Sequence, residues 1–104
     1  MDISTIKIGA TTYDVVEIDG LHYMEDGDRR VSLNGHILYD DCTINIEAAL
    51  HEQRKRIAIV HEAIHGILEN AAMNDHSEAM VDALAHGLVD LMQSNPKLLD
   101  LMSE

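Results

Sequence analysis

His61 and His65 stand four residues apart with Glu62 between them, in the string His61-Glu62-Ala63-Ile64-His65. On a helix this spacing projects both imidazoles from one face, within reach of a single zinc ion. Glu62 lies near that face and is suited to act as general base on a zinc-bound water. The chemistry such residues can do is metal-assisted hydrolysis, and no other stretch of the chain carries a comparable signal. The flanking residues predict the helix that must carry them. No proline occurs from Arg56 to Glu69, and Ile57, His61, Ile64, His65 and Leu68 recur at helical spacing. The metal-facing stripe is therefore continuous with an apolar one.

A catalytic zinc takes three protein ligands and keeps a fourth position open. The third ligand must come from a neighbouring element. The pattern predicts a first helix over about residues 47–69, a turn over 70–74, and a second helix over about 76–93, with Asp75 as its N-cap. Two helices joined by so short a turn pack antiparallel. Glu78 then returns beside His61 and His65 as the expected third ligand. Asp82, four residues on, shares its face and can accept the free ring N–H of a ligating histidine. Two alternatives stay open: His76 as the third ligand, and Glu78 as merely the capping-box partner of Asp75. His86 lies roughly 12 Å beyond Glu78 along the helix and reads as an ordinary helix histidine. His22, His36 and His51 show no paired spacing.

The 104 residues suffice for one domain, spanning 1–104, with one modest core. With no Trp or Phe and three Tyr, that core is expected to be aliphatic. The formal net charge of −12 argues against nucleic acid and anionic membrane surfaces as partners. Cys42 is alone, which rules out an intramolecular disulfide and a Cys-rich zinc site, and it reads as a small buried strand residue. The first seven residues lack the basic start and apolar run of a secretion signal. No segment approaches the ~20 apolar residues that span a bilayer. The expected location is cytoplasmic.

The first half of the chain reads as strands. Asp26-Gly27-Asp28 is a turn, resembling a calcium loop only in part. Asn34-Gly35 predicts a two-residue hairpin, and Asp40-Asp41 another turn. Residues 42–46 alternate as a half-buried strand. Gln53-Arg54-Lys55-Arg56 reads as a solvated helix face. Val81, Leu84, Leu88 and Leu91 are the expected apolar stripe of the second helix. Pro96 ends that helix and can open a short last one through Met102. The predicted fold class is α+β: a small N-terminal antiparallel or mixed sheet packed on two long antiparallel helices.

With His61-Glu62-Ala63-Ile64-His65 followed by Glu78-Ala79-Met80-Val81-Asp82, the chain resembles the zincin metallopeptidases of gluzincin type. There HExxH on one helix is completed by ExxxD on the next. The run Val81-Asp82-Ala83-Leu84-Ala85-His86-Gly87-Leu88-Val89-Asp90-Leu91 looks like small intracellular phage or prophage metallopeptidases of the ImmA/IrrE kind. The resemblance covers Cys42 to Pro96. It implies a Zn2+ cofactor, a peptide or protein substrate, and Glu62 as the base. Tyr23, Tyr39 and His86 are expected candidates for an electrophile opposite the zinc. The substrate is expected to add as a strand along residues 42–46, should that strand be the sheet edge. A zinc-binding interaction module with a degenerate peptidase fold is the alternative, and a metal-free α+β interaction protein a third possibility.

Overall fold

A computed structural model describes all 104 residues. Six strands are followed by three helices: β1 (Thr5–Ile8), β2 (Thr11–Ile18), β3 (His22–Glu25), β4 (Arg29–Ser32), β5 (Gly35–Leu38), β6 (Thr43–Glu47), α1 (Glu52–Asn70), α2 (Glu78–Ser94) and α3 (Pro96–Met102). The main sheet has the order β1-β2-β6-β5. It is mixed, with β2 and β6 parallel and the two outer pairings antiparallel. β3 and β4 form a separate two-stranded hairpin within the crossover from β2 to β6. The fold is α+β, as expected.

β6 is the central packing strand. Its alternation turns Ile44 and Ile46 inward, and neither keeps any exposed surface. Ile8, Tyr13, Ile37, Ala58 and Ile59 complete this core, so one tyrosine joins the aliphatic residues. α1 lies against β1, β5 and β6. Gly66 permits that close approach: a Cβ there would stand 2.8 Å from Ile8 Cδ1 and 3.2 Å from Ile37 Cδ1. α2 packs back on α1 through Ile64, Val81 and Ala85, with Ile57, Val60 and Leu68 at the margin.

Several local expectations are corrected. Asn34-Gly35 is no hairpin, because β4 pairs with β3 and β5 with β6. Gly35 does not take the positive φ that a two-residue hairpin turn needs, and the Asn34 carbonyl accepts from Glu47 N–H. Residue 47 is not helical. Glu47 closes β6, and its carboxylate accepts from the N–H groups of Gly20, Leu21 and Ala49. α1 starts five residues later, where the His51 ring accepts from Gln53 N–H. The N-cap of α2 is Ser77, not Asp75; its hydroxyl accepts from Met80 N–H. Cys42 is a half-buried turn residue with φ 50°, outside the strand that begins at Thr43. Lys55 is not on a solvated face but buried, paired with Glu17 and Glu52.

The stripe of α2 also differs. Val81, Ala85 and Val89 are buried, whereas Leu84, Leu88 and Leu91 remain exposed. Small Ala85 lets α2 approach α1 closely, and the approach turns the 81/85/89 row inward. The last element agrees with expectation, with Pro96 in the first turn of α3.

Candidate metal centre

The antiparallel pairing of α1 and α2 brings the expected ligands together. His61 Nε2 lies 3.0 Å from Glu78 Oε2, and His65 Nε2 lies 2.8 Å from Glu78 Oε1. The two histidine Nε2 atoms are 3.3 Å apart. One ligand atom from each of His61, His65 and Glu78 falls within 4.8 Å of the others. Ligand atoms about 2.0–2.1 Å from a tetrahedral ion stand about 3.3 Å from one another. The histidine pair has that spacing.

The outer partners of the two rings fit the same arrangement. His61 Nδ1 faces Asp82 Oδ1 at 3.4 Å. His65 Nδ1 faces His76 Nε2 at 2.9 Å. Each ring thus has an outer group placed to accept an Nδ1–H, His76 at hydrogen-bond distance and Asp82 farther off, an arrangement that suits an inward Nε2 lone pair. The two Nε2 atoms and the Glu78 carboxylate thus face one another within 4.8 Å. Acceptors at such distances must share a proton or a metal ion, and two imidazole nitrogens with a carboxylate suit a metal. Two nitrogens and one oxygen are the donor types of a catalytic zinc site. Burial holds His65 below the ordinary imidazole value, against the pull of Glu78, and so favours the neutral ring that ligates.

Asp82 therefore stands where expected, and Glu78 is not occupied with capping. His76 lies behind His65, on the side away from Glu78. His86 lies one turn beyond Asp82, exposed at the rim of the site with Nδ1 against the Asp82 carbonyl, and His22, His36 and His51 lie outside the cluster.

Glu62 points to the sheet side of the centre. It is buried, with 7% of its surface exposed. Oε1 accepts from Ile37 N–H at 3.1 Å, and Oε2 lies 3.9 Å from His61 Nε2. One oxygen is anchored while the other faces the ligands. Burial pushes the carboxyl up from its ordinary value of 4.5, partly opposed by His61 and the Ile37 N–H. Gly35 makes room for it: a Cβ there would sit 3.1 Å from Glu62 Cγ and 3.3 Å from Ile46 Cδ1.

These residues form the floor of a cleft of about 1150 Å³ between β5 and α2. Tyr23, Tyr39 and His86, the expected electrophile candidates, all line it. Tyr39 is raised above the ordinary phenol value by burial and by the carboxylates of Glu69 and Glu62. The sheet edge at the cleft is β5, not β6, which is flanked by β2 and β5. Because Asn34 is the residue bonded to β6, Gly35 and Ile37 turn their backbone groups away from β6, and the Ile37 N–H is taken by Glu62. Neither the β5 edge nor the contact of His76 with His65 has a signature in residue spacing.

Comparison with known proteins finds no matching family model, no matching curated protein and no matching solved structure.

Proposed function

We propose that the chain is a zinc-dependent metallopeptidase that hydrolyses peptide bonds, with His61, His65 and Glu78 as ligands and Glu62 as general base. One observation carries the reading. Glu62 is buried beside the ligand cluster with one oxygen tied to the β5 backbone and the other turned to the cluster. A metal that only joined two helices would need no such group. A zinc ion held by the three ligands would supply a Lewis acid for the scissile carbonyl and lower the pKa of a coordinated water.

The remaining work falls to the protein. Glu62 Oε2 takes the proton of the attacking water and returns it to the leaving amine nitrogen. Ile37 N–H keeps that carboxylate aimed through the cycle. The open edge of β5 can hold an extended peptide as an added strand, with Gly35 offering backbone groups and no side chain in the way. Tyr23, Tyr39 and His86 are available on the cleft wall to donate to the carbonyl oxygen.

The test is Glu62→Gln, assayed with zinc-loaded protein on a broad library of extended peptides. The variant is expected to keep its zinc and lose about 10²–10⁴-fold in hydrolysis. Unchanged cleavage by the variant, or no cleavage by the wild type, would remove the peptidase reading. The second reading, a zinc-stapled interaction module, then gains from one observation. Leu84, Leu88 and Leu91 form an exposed apolar row on α2, a surface that a partner could cover.

A further inference from the structure

The connection from α1 to α2 does more than reverse the chain. α1 ends in a two-bond cap. Ala72, at φ 56°, donates its N–H to Glu69 C=O, and Met73 N–H donates to Leu68 C=O. This is the Schellman arrangement, with alanine in the left-handed position where glycine is usual. Both bonds fix the course of the chain into Met73. Its carbonyl meets His76 Nδ1 at 2.7 Å, and His76 Nε2 meets His65 Nδ1 at 2.9 Å.

The hydrogens along this line follow from donor and acceptor chemistry. A carbonyl oxygen only accepts, so His76 must carry its proton on Nδ1. In the neutral ring Nε2 is then an acceptor, and His65 must donate from its own Nδ1. The lone pair of His65 is thereby left on Nε2, the atom that faces His61 Nε2 and Glu78 Oε1.

We propose that His76 is a positioning residue for the metal centre: the helix-cap carbonyl of Met73 sets the tautomer of His76, and His76 in turn sets the tautomer and ring orientation of His65. The proposal deepens the metal-centre reading and rests on it. Asp82 serves His61 with a carboxylate, whereas His65 is served by a second imidazole fixed by backbone. The end of α1 and the ligand side of its last turns are thus coupled through one ring.

Two measurements test it. In the metal-free wild-type protein at mildly alkaline pH, long-range proton–nitrogen NMR is expected to find both His76 and His65 protonated on Nδ1. A proton on Nε2 of either ring would overturn the proposal whether or not metal binds. Zinc affinity is then measured by competition with a chromogenic chelator. His76→Ala is expected to bind zinc about 10–100-fold more weakly, as for the loss of other outer partners of ligating histidines. His76→Gln offers an amide oxygen to the His65 Nδ1–H and is expected to recover most of that loss. Wild-type affinity in His76→Ala, or a glutamine variant no better than alanine, would overturn the positioning role while leaving the ligand assignment standing. No zinc binding by the wild type would instead remove the metal-centre reading, and this proposal with it.

Discussion

Three side chains from two helices supply the proposed ligands, and each is distinguished from its neighbours by a specific partner. Glu78 bridges both histidine Nε2 atoms, while His22 faces a backbone carbonyl, His51 a backbone N–H and His36 solvent. His61→Ala and His65→Ala are therefore expected to abolish zinc binding, and Glu78→Ala to weaken it more than His76→Ala does. His22→Ala, His36→Ala and His51→Ala should leave zinc content unchanged. Elemental analysis of each purified variant checks this set; normal zinc in either His61→Ala or His65→Ala would defeat it. Asp82→Asn keeps the size but not the charge of the outer partner of His61, and a loss of about 10–100-fold in affinity is expected. The same chelator competition measures it.

Elements position these residues through a few contacts that tolerate little change. β5 meets α1 at Gly35, where an added methyl would press on Glu62 Cγ and on Ile46 of the core. Gly35→Ala is expected to shift the Glu62 carboxylate and lower hydrolysis about tenfold or more, with zinc content retained. Activity equal to wild type would mean that this fit does not hold the base. α1 is tied to β2 by Lys55 and Glu17. The bond to Lys55 holds Glu17 below its ordinary 4.5, and the bond to Glu17 raises Lys55 above 10.5. A carboxylate with a lowered folded pKa stabilises above its unfolded value and loses that contribution as pH falls through the folded one. Glu17→Gln should thus reduce the urea midpoint of the metal-free protein at neutral pH, and the difference from wild type should shrink below about pH 4.5. A difference independent of pH would show that the pair contributes no charge-dependent stability.

For the molecule as a whole, a bound metal must stabilise the fold, since the ligands converge only when α1 and α2 are packed. Free zinc at about a thousand times its Kd adds about 4 kcal/mol. For a chain of this length that raises Tm on the order of 15 °C or more. Thermal unfolding with zinc and then with excess chelator is expected to show the rise and its reversal; an unchanged Tm in both would refute the site. The exterior is acidic, and no helix is long and apolar enough to cross a membrane.

What the sequence by itself determined was local in origin. Helical periodicity alone puts His61 and His65 on one face, and a short reversal alone brings Glu78 and Asp82 back to them. Pro96 ends α2 for reasons of backbone chemistry within a few residues. Tertiary structure decided whatever depended on partners distant in the chain. Asn34-Gly35 has the composition of a hairpin, yet its neighbours pair with β3 on one side and β6 on the other. Glu47 suits a helix start, yet its carboxylate bonds backbone N–H groups 26 and 27 residues away. Leu84, Leu88 and Leu91 suit a buried stripe, yet the face carrying Glu78 and Asp82 is the one that meets α1. The edge position of β5, the anchoring of Glu62 by Ile37 and the place of His76 behind His65 arise the same way. Each is a contact between elements, and local spacing encodes which face a residue occupies but not what that face will meet.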